Sequence, residues 1–308
     1  MNTLLHSPDP YLSILKDAAK VSWQVEDVLG AGQSLDFTQP FLPESLTRTQ
    51  MLTCLSPAEQ LKLNQIRGNS YLHLFGLVEE FILPLVMDYV KTIGCQDIEA
   101  TQAYLGFAEQ ESKHIHLFRQ FAEAFASGFG SPCDCIGPAK AVADFVLRHS
   151  PLGVALVTLH IEWMTQHHFL ECVQDRQGTI DPLFFKLLKY HWQEEAQHAR
   201  LDALMVQSMA QALDTTAIAT GIDDYLTIIQ YLQAGLVNQV QLDLTSLEYA
   251  IHRQLTTTER EHIKTAQATS YHQTFLLSGM THPRFVQTVQ QISPTRYGRI
   301  AELTQMFS

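Results

Sequence analysis

The sequence predicts an all-α chain built on a four-helix bundle with one long crossover. Three observations carry this. Apolar residues recur at steps of three and four, and alternation with period two is hard to find anywhere along the chain. Four predicted helices each place a Glu on their apolar stripe, at Glu79, Glu111, Glu162 and Glu195. The spacings repeat: Glu79 to Glu111 is 32 residues and Glu162 to Glu195 is 33, while Glu79 to Glu162 is 83 and Glu111 to Glu195 is 84. That register reads as a helical hairpin used twice, with each pair of carboxylates at the same depth.

The segment from Lys186 to Met205 contains His191, Glu195 and His198 as H-x-x-x-E-x-x-H. Steps of three and four stack side chains on one helix face. Leu188, Asp202 and Met205 share that face, so the two imidazoles and the carboxylate point into a core. Glu111 and His114 repeat the E-x-x-H spacing on the stripe of Tyr104, Ala108, Phe118 and Phe125. Glu79 stands among Leu72, Phe75, Ile82, Leu83 and Val86, and Glu162 among Ala155, Leu159, Thr165 and Phe169. The first stripe centres on Glu79, whereas Glu80 shares its side with His73 and Lys91. A buried carboxylate costs several kcal/mol unless a cation or donor meets it. Four Glu and two E-x-x-H histidines on four helices form the ligand pattern of di-iron and di-manganese carboxylate bundles. Two divalent cations would neutralise four carboxylates. The mix of hard oxygens and imidazole suits iron or manganese better than zinc or copper.

Two further residues lie near this pattern. His191 is one turn before Glu195 on the same face, within reach of the same metal; the alternative is a core histidine bonded to a ligand carboxylate. Asp202 is one turn after His198, as an acceptor that orients it or as a solvated acid. Glu109 and Glu194 point about a quarter-turn away by helical geometry. Tyr104 reads as core packing. A pocket beside the metals is expected to be lined by residues such as Phe75, Phe107, Phe118, Leu159 and Phe169.

Taken in order, residues 1–10 read as a loose arm and 11–29 as a helix ended by Gly30 and Gly32. Residues 33–56 read as a loop with one helical turn. Ser56, Pro57 and Glu59 form a helix start, and that helix runs to about Ile93, with Pro84 predicting a kink or break. Asp97 to about Ala126 is the second helix. Ser127–Pro138 is the Gly/Pro-rich crossover, and 139–149 a short helix. Ser150-Pro151 starts the third ligand helix, to about Asp175, and Asp181-Pro182 the fourth, to about Leu213. Helices follow over about 222–254, 257–279 and 283–306, the last broken by Pro294. The whole chain, 1–308, reads as a single domain: a ligand bundle over about 57–213 with accessory helices over about 11–29 and 222–306.

Composition bounds the function. A net charge of −12 disfavours nucleic acid and anionic membrane as partners. No apolar run reaches the roughly 18 residues that span a bilayer, and the N-terminus has no basic leader. Five scattered cysteines suggest free thiols and a cytoplasmic setting. Cys133 and Cys135 form C-x-C without a second pair, which is poor zinc evidence.

The pattern E…E-x-x-H…E…H-x-x-x-E-x-x-H resembles the di-iron arylamine N-oxygenases of the p-aminobenzoate oxygenase type, within the ferritin-like di-iron proteins. The resemblance covers about 60–205, with the L-S-P-A-E-Q lead-in, and leaves the C-terminal third unmatched. It implies seven ligands: Glu79, Glu111, His114, Glu162, His191, Glu195 and His198. It also implies two iron ions, with Mn/Fe or two Mn as alternatives, that use O2 to oxidise an aryl amine towards hydroxylamine or nitro. The partners it implies are a small-molecule substrate, O2 and an electron donor; a homodimer stays open. Rival readings are a C–H oxidase, a metal-storage bundle and a metal-free scaffold.

Overall fold

A computed structural model describes residues 10–307. Among the described residues there is helix and no strand. The expected loose arm at 1–10 lies, apart from Pro10, outside the described residues. The helices are α1 (Pro10–Ala18), α2 (Val25–Val28), α3 (Glu44–Thr47), α4 (Pro57–Ile93), α5 (Ile98–Phe129), α6 (Ala139–Val146), α7 (Pro151–His167), α8 (Pro182–Gln211), α9 (Thr215–Ile251), α10 (Thr257–His272), α11 (Ser278–Met280), α12 (Pro283–Ile292) and α13 (Tyr297–Phe307).

The starts of the four bundle helices are fixed by local chemistry. Ser56 accepts from the Glu59 amide while Glu59 accepts from the Ser56 amide, which satisfies two orphan donors at the head of α4. Asp97 caps α5 through the Ala100 amide, Ser150 caps α7 through Gly153, and Asp181 caps α8 through Phe184. Pro57, Pro151 and Pro182 follow their caps, where a missing N–H costs nothing. α4 packs along α5 and α7 along α8, as the repeated register requires. α9 lies across α7 and α4. The crossing with α7 is close: a Cβ on Gly153 would meet the Gly221 carbonyl at 3.0 Å and the Asp224 Cβ at 2.6 Å.

Four expectations need correction. The helix expected over 11–29 is two short pieces, because the chain between them turns inward to bury Trp23. α4 continues through Pro84 without a break. It also contains an 18-residue window of mean hydropathy 1.4, apolar enough by length and composition to cross a membrane; 61% of that window is buried inside this fold. The third ligand helix leaves α-geometry at His168, passing through a π-helical segment, His168–Val173, before a single 3-10 turn. A second π-helical segment, Gln273–Leu277, follows α10, and His168 Nε2 meets the Thr274 carbonyl at 2.7 Å between the two.

Candidate metal centre

α4 contributes Glu79, α5 Glu111 and His114, α7 Glu162, and α8 His191, Glu195 and His198. All seven are at most 3% exposed. Glu80 stays partly exposed and pairs with Arg119 at 3.1 Å, so the inward carboxylate of α4 is Glu79.

Glu195 is the hub. Its Oε1 lies 2.7 Å from His191 Nε2 and 3.0 Å from His114 Nδ1, and its Oε2 lies 3.0 Å from His198 Nδ1. Glu79 Oε1 is 3.4 Å from His191 Nε2 and 3.8 Å from His114 Nδ1. Glu111 Oε1 is 2.9 Å from His198 Nδ1 and 3.9 Å from His114 Nδ1. Glu162 stands beside Glu195, close enough for the two carboxylates to act on each other. Two sets emerge whose ligand atoms lie within 4.8 Å of one another: Glu79, His114, His191 and Glu195, and Glu111, His114, Glu195 and His198. His191 therefore sits with Glu79 as well as with Glu195. Glu162 belongs to neither set but lines the same small space as Glu79, Glu111, His191 and Glu195.

Electrostatics test whether these residues fit cations. Both oxygens of Glu79, both of Glu111 and Oε2 of Glu162 are buried and make no well-formed hydrogen bond. Burial, with the neighbouring Glu111 and Glu195, pushes Glu79 well above the ordinary carboxylate range; burial and Glu195 do the same to Glu162. Burial would also raise Glu195, but the His198 and His191 imidazoles outweigh it and hold it well below that range. Burial works against a charge on His114 and His198, yet the carboxylates they face lift them to about 9 and about 10. Burial lowers His191 despite Glu195. Acceptor-rich, donor-poor and dry, the cluster fits two hard divalent cations.

The outer support was only partly foreseen. His114 Nε2 is 2.8 Å from Glu194 Oε2, and Lys113 Nζ is 2.6 Å from Glu194 Oε1. Glu194 thus holds the His114 ring, although it lies off the ligand face of its own helix. Burial would raise Glu194, but its bonds to His114 and Lys113 leave it below the usual value. His198 Nε2 meets Gln110 Oε1 at 2.7 Å. The expected acceptor, Asp202, is fully buried with neither oxygen hydrogen-bonded, and burial raises it well above its ordinary value. Glu109 is exposed. Phe107 stacks on His198 with centroids 3.9 Å apart, and Trp23 lies parallel to His114 at 5.9 Å. Lys113 lies 4.0 Å over the Trp23 ring, which fixes the turn between α1 and α2. Tyr104 packs in the core and donates to the Leu201 carbonyl at 2.8 Å.

The pocket differs from the expected one. A cavity of about 270 Å³ lies beside the centre, and of the five anticipated lining residues it uses Phe75 alone. Phe107 covers His198, Phe118 meets His191 edge-on, Phe169 stacks on Trp192, and Leu159 is fully buried in the core. The rest of the wall comes from α9 above all, with further residues of α4, α6, α7, the crossover at 136–138 and the segment around Phe275. Their apolar residues have the composition of ordinary core, so no motif in the sequence marks them.

No family model and no curated relative matches the chain. Solved structures do. An R2-like ligand-binding oxidase variant with an aerobically reconstituted Mn/Fe cofactor superposes with a TM-score of 0.50 at 14% identity, covering 91% of this chain and 95% of that one. A second variant, with an aerobically reconstituted Fe/Fe cofactor, gives a TM-score of 0.48 at 13% identity over 91% and 95%. Another R2-like ligand-binding oxidase, with a Mn/Fe cofactor, gives 0.48 at 12% identity over 92% and 95%. The first of these likenesses supports the fold alone: all-α and ferritin-like.

Proposed function

We propose that the chain is a non-haem di-metal oxidoreductase that spends O2 on a small organic molecule, and that the reaction is N-oxygenation of an aryl amine. The observation that carries this reading is the enclosed set of four carboxylates and three imidazoles from four helices, with several oxygens making no well-formed hydrogen bond. The third histidine, His191, favours the N-oxygenase form, since it faces Glu79 and Glu195, the carboxylates that His114 also faces.

Glu79, Glu111, Glu162 and Glu195 with His114, His191 and His198 would hold two iron ions, or an Mn/Fe or di-manganese pair. When bound, these ions supply the electrons and the Lewis acidity that O2 reduction needs. The protein's own part is orientation and exclusion. Glu194 and Gln110 fix the outer nitrogens of His114 and His198, which keeps the inner nitrogens aimed at the carboxylates. Glu195 ties both halves together. Phe107 and Trp23 cover the rings and keep water away. In the overall balance one oxygen atom enters the amine and the other leaves as water, with two electrons and two protons drawn from an external reductant.

A C–H-oxidising Mn/Fe oxidase is the second reading, favoured by the Mn/Fe cofactor of the structural neighbour. Loading the protein with Fe(II), or with Mn(II) and Fe(II), and analysing products by mass separates the two. A hydroxylamine carrying one atom from labelled O2 supports the first. Failure to bind about two metals per chain would sink both.

A further inference from the structure

The cavity beside the centre has a direction. At one end Ala141 of α6 with Ala234 and Asn238 of α9 line it and are exposed, which makes a mouth between these two helices. At the other end stand Phe75, Val78 and Ile161. These same three side chains border the space around Glu79, Glu111, Glu162, His191 and Glu195. Phe75 touches both sides: its ring meets His191 edge-on at 5.3 Å and Phe275 of the cavity wall at 6.1 Å. The cavity is therefore an approach to the carboxylates that ends on three apolar side chains.

The wall is equally specific in its chemistry. It contains no Lys, Arg, Asp or Glu. Its imidazole, His160, has both nitrogens engaged, Nδ1 with the Tyr225 hydroxyl at 2.9 Å and Nε2 with the Phe275 carbonyl at 3.1 Å. Tyr231 is stacked on Phe145 at 3.8 Å, and Asn238 stands at the mouth. A carboxylate carried into this space would meet no cation, and the side-chain donors left to it would be the Tyr231 hydroxyl and, at the mouth, the Asn238 amide, so its lost hydration would be poorly compensated. The volume, about 270 Å³, falls just below the range that takes drug-sized ligands.

We propose that this cavity is the substrate site and that it takes a small, uncharged, apolar molecule, entering between α6 and α9 and presenting its reactive end at Phe75, Val78 and Ile161. An aryl amine bearing a carboxylate is thereby disfavoured against its neutral alkyl counterpart. The proposal rests on the di-metal reading for what happens at the inner end, but binding in the cavity is independent of metal.

The test uses the full-length protein, stripped with chelator so that a carboxylate cannot bind through a metal. Calorimetry compares 4-propylaniline with 4-aminobenzoate. The neutral amine should bind more tightly by at least about tenfold, equivalent to roughly 1.4 kcal/mol. A Cβ on Gly235 would point at Ile136 Cδ1, 3.2 Å away, so Gly235→Phe fills the cavity. It should weaken the neutral amine by about tenfold or more while leaving metal uptake by the reloaded protein unchanged. Should that variant fail to fold, Ala141→Trp on the exposed rim serves the same purpose. Equal or tighter binding of 4-aminobenzoate, or undiminished binding of 4-propylaniline in a folded plugged variant, would overturn the proposal. Metal stoichiometry, measured separately, reports on the di-metal reading, so either can fail without the other.

Discussion

The Glu194 carboxylate stands 2.8 Å from Nε2 of His114 and 2.6 Å from the ammonium of Lys113. It holds the histidine from behind, from the helix opposite, and removes the ring's rotational freedom. Replacing such a support usually lowers metal affinity about 10- to 100-fold. Glu194→Ala is expected to do this, and Glu194→Gln less, since an amide oxygen still accepts. Competitive chelator titration measures both. Equal affinity in wild type and Glu194→Ala would remove Glu194 from the support of the site.

His191→Ala is expected to lower metal content towards one ion per chain, because Nε2 of His191 lies within 3.4 Å of Glu79 and 2.7 Å of Glu195. Elemental analysis after equilibrium dialysis decides it. Two tightly held ions in the variant would make His191 a core histidine bonded to a ligand carboxylate.

His168 ties the first π-helical segment to the second in its neutral form. Nε2–H donates to the Thr274 carbonyl and Nδ1 accepts from the Tyr71 hydroxyl at 2.7 Å. Burial pushes its pKa down to about 3 from 6.5. Between those values the unfolded chain binds a proton that the folded chain refuses. Stability from this group is therefore complete above 6.5 and lost as pH falls towards 3, at about 1.4 kcal/mol per pH unit. Denaturant melts at pH 6 and pH 4 should show a shallower fall in His168→Gln than in wild type by about that slope. Parallel falls would mean that His168 titrates normally.

Gly279 permits the approach of α11 to α7. A Cβ there would lie 2.2 Å from His160 Cδ2 and 2.7 Å from the His160 carbonyl oxygen. Backbone cannot yield cheaply, so Gly279→Ala should cost about 1–3 kcal/mol and lower the melting temperature. An unchanged melting curve would show that the two helices separate freely.

What the sequence made legible follows physical range. The helix starts at Ser56, Asp97, Ser150 and Asp181 are set by local exchanges between residues three apart, and each start stands where it was read. The seven inward side chains were legible because helical periodicity fixes direction and the hairpin repeat fixes depth. The break after α1 was not, because it is set by Trp23 meeting His114 and Lys113, some ninety residues away. Glu194 was read as pointing away from the ligands, and its role was hidden because the ring it supports arrives from another helix, off the face by which α8 is recognised. Asp202 lies on the ligand face as expected, but Gln110 occupies the position behind His198. The cavity was illegible because Ile136, Ile229 and Leu232 look like any core residue until the C-terminal helices are folded over α4 and α7.

That folding-over divides labour along the polypeptide. Charge balance is kept by α4, α5, α7 and α8, whereas α9, with parts of α6, the crossover and the segment at Phe275, supplies much of the surface an incoming molecule would touch. Drift in those segments could exchange one guest for another and leave the acidic heart of the bundle unaltered.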